Sequence, residues 1–226
     1  MKRIVVMSGA GMSAESGIPT FRGADGLWEG HRIEEVATPE AWHADYRKVL
    51  EFYNFRRKGV MEAEPNEGHL ELARMQDDFD VQIVTQNIDD LHERAGSNNV
   101  MHLHGEIMKA RSTVDPSLIT SLDHWELKDG DRCEKGSQLR PHIVWFGEAV
   151  PMMESAIAMA QTADIFLVVG TSLLVYPAAS LVNFVRPGTP IYLIDPNLQG
   201  IEGSSGVTVF NTGAVEGMKL FREAIS

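Results

Sequence analysis

His104 closes an apolar run in His-Leu-His-Gly and is well suited to move a proton near neutral pH, where imidazole titrates. A histidine merely satisfied at a strand end is one rival reading. A metal ligand is another, because alternation puts His102 on the same strand face. No carboxylate or cysteine is expected to complete a ligand set, so metal is set aside. Gln86, Asn87 and Asp89 form a second polar group, able to orient a sugar or a water, or to cap the following helix. Gly9, Gly11 and Ala14 follow the apolar Ile4-Val5-Val6 in a Gly-x-Gly-x-x-Ala pattern. It allows a tight turn, close backbone approach to a pyrophosphate on helix N-terminal N–H groups, and close helix packing. A plain glycine turn after a strand gives the same letters. Gly170-Thr171-Ser172 can cradle phosphate or ribose without adding charge, or can be an ordinary strand-to-helix turn.

The elements that must position these groups alternate. Buried strands are expected at Ile4–Val6, Val81–Val84, Val100–His104, Ile165–Val169, Ile191–Ile194 and Val207–Phe210. Helices are expected from near Ser13 to Pro19, from Thr38 to about Val60 with Gly59 as terminator, and over Leu70–Met75. Further helices are expected before Gly96 and over Met152–Gln161, Pro177–Val185 and Gly217–Ile225. Such alternation predicts an α/β fold with a doubly wound parallel sheet. Polar residues at the C-terminal strand ends, Asp195-Pro196-Asn197 among them, then lie where open α/β sheets bind ligands. In the long helix, Trp42, Tyr46, Val49, Leu50 and Tyr53 make the apolar stripe. Arg56 extends it by one turn, so it needs an anionic partner or an exit to solvent. Two stretches depart from the alternation, 27–66 and 106–140. They are expected to form a smaller lobe on a core of 1–26, 67–105 and 141–226. Pro19 breaks the simple nucleotide-binding unit, and Phe21 and Arg22 beyond it suggest a flap over the ligand.

The chain's 226 residues suit a single domain with a small insertion, and 43 % hydrophobic residues supply a core. A net charge of −12 argues against nucleic acid and suits a basic, lysine-bearing peptide, or simply a soluble surface. The single Cys133 excludes an intrachain disulfide and a four-cysteine zinc site. No segment reads as a signal peptide or membrane span, so a cytoplasmic enzyme, with a monomer favoured, is the expectation.

Gly9-Ala-Gly-Met-Ser-Ala-Glu-Ser-Gly-Ile-Pro-Thr-Phe-Arg-Gly23 resembles the signature of the sirtuins, the NAD-dependent protein-lysine deacylases. Gln86-Asn87-Ile88-Asp89, His104-Gly105 and Gly170-Thr171-Ser172 fit the same family, and the resemblance spans nearly the whole chain. It implies a Rossmann-like fold, with His104 as catalytic base deprotonating the ribose hydroxyls, assisted by Asn87 and Asp89. Acyl groups then pass from lysine to ADP-ribose, giving nicotinamide and 2′-O-acyl-ADP-ribose. NAD contacts are implied at Gly9, Ala10, Gly11, Ala14, Phe21, Arg22, Trp28, Gln86, Asn87, Ile88 and Asp89. They are further implied at Gly170, Thr171, Ser172, Asp195, Pro196, Asn197 and Ala214. Val144, Phe146, Gly147 and Glu148 match the strand that pairs with the substrate backbone.

Tyr53-x-x-Arg56 with Ala37 resembles the subgroup preferring succinyl- and malonyl-lysine. A guanidinium and a phenol can fork onto a distal carboxylate, and a small Ala37 leaves room for the longer acyl chain. Acetyl removal is expected as well. The family's two Cys-x-x-Cys pairs are missing: Ser112 to Asp115 replaces the first and only Cys133 remains near the second. Structural zinc is therefore expected to be absent, with the lobe held by packing or partly mobile. Protein mono-ADP-ribosyl transfer and a non-catalytic NAD sensor are the alternatives.

Overall fold

A computed structural model describes residues 1–20, 28–171, 173, 175–197 and 206–226. Its centre is strand β1 (Arg3–Ser8), in which Ile4, Val5, Val6 and Met7 are all inaccessible to solvent. With β2 (Asp80–Thr85), β3 (Val100–His102), β4 (Gly105–Ser112), β5 (Ile119–Ser121), β6 (Leu139–Ile143), β7 (Ile165–Val169), β8 (Ile191–Ile194) and β9 (Val207–Phe210), it builds two sheets. The larger has six parallel strands in the order β3-β2-β1-β7-β8-β9. Strand order reverses between β1 and β7, so the loops leaving their C-terminal ends diverge there and open a crevice.

Alternate residues of the central strands feed two cores, one on each face. Ile4, Val6 and Leu167 pack with Leu72 of α4 (Glu67–Arg74, after the short helices α1, Gly11–Ala14, and α2, Ile33–Val36, and the long α3, Pro39–Glu62) and with Met218 and Phe221 of the C-terminal helix (Ala214–Ile225). Val5, Met7, Phe166 and Val168 pack instead on Ala156 and Ala160 of the helix Met153–Ala160, and on Leu181 of a 3₁₀ segment, Ala178–Phe184.

The second sheet is small and antiparallel, in the order β5-β4-β6. It carries most of the stretch that the sequence presents as irregular. It also takes residues 141–143, so β6 belongs to the lobe and not to the parallel core. Helix α3 lies over it, packing Val49, Phe52 and Tyr53 with Ile107, Ile143 and Trp145. Thr38 caps α3 by accepting from Ala41 N at 3.0 Å, and Asp45 breaks its helical dihedrals. The helix runs through Gly59 to Glu62, so Gly59 is not the terminator. Arg57, fully buried, donates to Ile107 O, Asn54 Oδ1 and the carbonyl of Trp125, tying helix to lobe.

Where the first cysteine pair would stand, Ser112 opens a small polar knot. Ser112 Oγ lies 3.0 Å from Ser137 Oγ, which in turn is 3.1 Å from Cys133 Sγ. Ser112 Oγ also accepts from the N–H groups of Val114 and Asp115. Leu50, Ala110, Leu127 and Leu139 pack beneath, so packing and a small polar knot hold the lobe. Among the described residues no group of three or more His, Cys, Asp or Glu is arranged to hold a metal, and no helix is long and apolar enough to cross a membrane.

Candidate active site

The crevice between β1 and β7 is closed at its base by glycine backbones. Gly9 N donates to Val169 O at 3.0 Å and Gly11 N to Gly170 O at 2.8 Å. A Cβ at Gly11 would stand 2.7 Å from Gly170 Cα, so the close approach these glycines permit is first to the neighbouring loop. Helix α1 is a single turn, and Met12 N is spent on Gly9 O. The expected row of free helix N-terminal donors is thus largely used within the protein. Ala14 is exposed and does not serve helix packing; Met12 and Ser13 are the buried pair.

Beside this loop, the segment after β2 makes a hydrogen-bonded cluster. Asn87 Nδ2 donates to Ser13 Oγ at 3.1 Å, and Ser13 Oγ donates to Asp89 Oδ2 at 3.0 Å. Asp89 Oδ1 accepts from Leu91 N, so its carboxylate also starts helix α5 (Leu91–Arg94). Burial pushes the Asp89 carboxyl above its ordinary range. Gln86 Nε2 reaches Thr171 Oγ1 at 3.2 Å and links this cluster to the loop after β7. Ile88 packs in the apolar cluster beneath α3 with Trp28 and Ala37. Ser13, which joins Asn87 to Asp89, is a member of this cluster that sequence reasoning passed over. Its place one turn from Gly9-x-Gly11 was the available signal.

The two histidines of His-Leu-His grip successive carbonyls. His102 Nδ1 lies 2.9 Å from Asn87 O and His104 Nδ1 lies 3.1 Å from Gln86 O. A carbonyl only accepts, so Nδ1 carries the proton in each. Their Nε2 atoms differ. That of His102 is 2.8 Å from Glu93 Oε1; burial disfavours its charge, but Glu93 outweighs this and raises the imidazole above its ordinary value. A carboxylate does therefore lie near this pair, but as a partner of His102 and not as part of a metal set. His104 has no such neighbour among the described residues, and burial lowers it. It is left neutral, with Nε2 unprotonated and able to accept.

At the end of β8, buried Asp195 accepts from Asn197 N through Oδ1 at 2.8 Å, while Oδ2 makes no hydrogen bond among the described residues. Pro196 and Asn197 are exposed beside it, and Ala214 is buried against the core. A carboxylate with a free oxygen, uncharged glycine and hydroxyl loops, and a neutral imidazole suit a dinucleotide laid across the crevice. Phe21, Arg22 and Ser172 lie outside the described residues.

Across the site, Tyr53 is fully buried and its hydroxyl accepts from Trp145 Nε1 at 3.1 Å. Burial raises its phenol far above the ordinary value, which keeps it protonated. Arg56 lies with its guanidinium 4.2 Å from the centre of the Trp28 ring, and its Nε has no hydrogen-bond partner among the described residues. Ala37 is buried alongside, and its carbonyl accepts from Phe146 N at 3.0 Å. Residues 144–148 are not the expected strand. Val144 N donates to His104 O, and the chain then turns at Gly147, φ 89°. Glu148 closes that turn on Trp145 N and pairs with Arg111 and Arg140, so its carboxylate is spent within the protein.

Fold and site together have the form of a dinucleotide-binding α/β enzyme with a neutral histidine beside the crevice. Residues 9–177 match the Sir2 family. A Bacteroides thetaiotaomicron protein named NAD-dependent protein deacylase is 49 % identical over 100 % of this chain and 98 % of its own length. A Sir2 homologue solved with NAD superposes with a TM-score of 0.88 at 40 % identity, covering 100 % of this chain and 91 % of its own. A triple mutant of a Sir2 homologue solved with 2′-O-acetyl ADP-ribose gives 0.88 at 39 %, covering 100 % and 94 %. This chain belongs to the Sir2 family.

Proposed function

We propose that this member of the family removes acidic acyl groups, succinyl and malonyl, from protein lysines and takes acetyl as a second substrate. The coarser activity follows from family membership: the chain is an NAD-dependent protein-lysine deacylase. The observation that carries the finer reading is Arg56. A guanidinium buried against Trp28, its Nε without a hydrogen-bond partner among the described residues, favours an anion at the end of the acyl pocket. The protonated Tyr53 hydroxyl beside it is a neutral donor for the same carboxylate, and Ala37 leaves the channel wide.

When bound, NAD supplies an anomeric carbon with nicotinamide as leaving group and a ribose that takes up the acyl group. Gly9 to Gly11, Gly170 and Thr171 would hold its phosphates, Asp195 a ribose, and Gln86 to Asp89 the nicotinamide end. His104 Nε2 takes up the proton, and its Nδ1–H on Gln86 O fixes the ring so that this nitrogen stays free. Ser13 holds Asn87 and Asp89 in one orientation. Val144 to Gly147 would line the substrate peptide's path, and the net charge of −12 favours basic segments over nucleic acid. We place the enzyme in the cytoplasm as a monomer.

Steady-state kinetics on one peptide carrying succinyl- or acetyl-lysine test the reading. Arg56→Met should cut kcat/KM for the succinyl peptide about a hundredfold, as loss of a charge-assisted pair does, and affect the acetyl peptide little. Equal losses would remove the specificity claim.

A further inference from the structure

Glu29 stands where the acidic-acyl pocket needs an anion. Its Oε1 is 3.7 Å from Arg56 Nη1, with the two side chains 20 % and 7 % exposed. Its φ of 50° is left-handed, a conformation uncommon for a glutamate. It sits in a reversal closed by reciprocal Trp28 and His31 backbone hydrogen bonds of 2.9 and 3.0 Å. The turn thus aims a carboxylate at the guanidinium against the local backbone preference. At 3.7 Å the two groups attract as charges without a hydrogen bond. The other groups whose charge bears on Arg56 are Tyr53 and Asp89. Tyr53 is a protonated phenol, and both Asp89 oxygens are occupied by Ser13 and Leu91. Glu29 is therefore the anion available to Arg56 among the described residues.

Glu29 also borders a pocket of about 160 Å³ whose wall includes His31, Lys48 and Glu51. The Lys48 ammonium there is bound to Glu35 at 2.8 Å. A carboxylate turned away from Arg56 would face a wall that carries Lys48, already paired with Glu35, and Glu51.

We propose that Glu29 is a displaceable counter-ion. It neutralises Arg56 while the acyl pocket is empty or holds a neutral acyl group, and it gives way to the distal carboxylate of an acidic one. The weak 3.7 Å contact suits that exchange: a hydrogen-bonded ion pair would exclude the substrate, and no pair would leave a buried charge bare. The proposal rests on the Tyr53–Arg56 subsite. It adds a residue that sets acyl affinity by competing for that subsite.

The test uses the same peptide pair at saturating NAD. Glu29→Gln keeps the side-chain length without the charge. Glu29→Gly also suits the left-handed backbone and so guards against a folding defect. Removing the competitor should lower KM for the succinyl peptide about fivefold, the size of one modest ion pair, with kcat little changed. KM for the acetyl peptide should not follow. In an Arg56→Met background the Glu29→Gln effect should vanish. If Arg56→Met is selective against succinyl while both Glu29 variants leave the succinyl KM unchanged or raise it, Glu29 merely supports Arg56 and the proposal is wrong. If Arg56→Met weakens both reactions equally, the subsite itself fails first.

Discussion

Acid should destabilise this fold through a buried histidine that takes no part in the proposed chemistry. His69, inaccessible to solvent, completes a capping box at the start of α4: Asn66 Oδ1 accepts from Gly68 N and His69 N, and His69 Nδ1 accepts from Asn66 N at 3.3 Å. Nδ1 must be unprotonated to accept. Its ring also meets that of His92 edge-on, with centroids 4.9 Å apart, and His92 Nε2 is engaged with Ser8 Oγ at 2.9 Å. Burial lowers His69 to about 4 and His92 well below its ordinary value. A pKa depressed on folding means that the unfolded chain binds more protons between the two values. The stability is complete above about pH 6.5 and is lost progressively as pH falls toward 4. For His69 alone, linkage gives a loss of about 2 kcal/mol between pH 7 and pH 5. His69→Gln isolates it, because glutamine can take the same place in a capping box without titrating. It also relieves His92 of a neighbouring charge, which acts in the same direction. Urea unfolding at both pH values, for wild type and variant, gives the double difference. We expect wild type to lose about 2 kcal/mol more than the variant. Identical pH dependence would show that His69 is not held neutral by the fold.

Four further outcomes follow from the site and the lobe. His104→Ala should reduce NAD-dependent deacylation by about a hundredfold or more, the usual loss for a general base. Because burial lowers His104, the neutral base persists below pH 6.5, and the acid limb of kcat/KM should have its midpoint under that value. Gly170→Ala should cost about 2–4 kcal/mol of unfolding free energy and weaken NAD binding measured by calorimetry, since φ is 66° and the new Cβ would overlap Met12 N. Incubation with a strong zinc chelator should leave both melting temperature and activity unchanged, because serine hydroxyls and packing hold the lobe; a fall of several degrees would contradict that account.

The parallel core was legible because its strands are short, apolar and β-branched, and each ends in polar residues or glycine. The glycine pattern was legible as a close approach, but not as an approach to Gly170, a contact between residues far apart in sequence. Spacing put His102 and His104 on one face yet could not rank them. Glu93, arriving from α5, raises the pKa of one, while burial lowers that of the other. The segment 144–148, read as the strand that pairs with the substrate backbone, is a turn because the Glu148 carboxylate folds back on Trp145 N and two arginines. The lobe looked irregular because β4 is paired on both sides and covered by α3, so its residues lack clean alternation. The need for an anion near Arg56 was readable from the helix stripe. Its partner, Glu29, depends on a left-handed turn that no pattern announces.

The most direct measurement is competition. Equimolar succinyl-, malonyl- and acetyl-lysine forms of one basic peptide are given to the wild-type enzyme with and without NAD, and all products are weighed by mass spectrometry. We predict NAD-dependent consumption of the succinyl and malonyl peptides ahead of the acetyl peptide, with one nicotinamide and one acyl-ADP-ribose released per lysine freed. Preferential consumption of the acetyl peptide, or ADP-ribose attached to the peptide, would contradict the account.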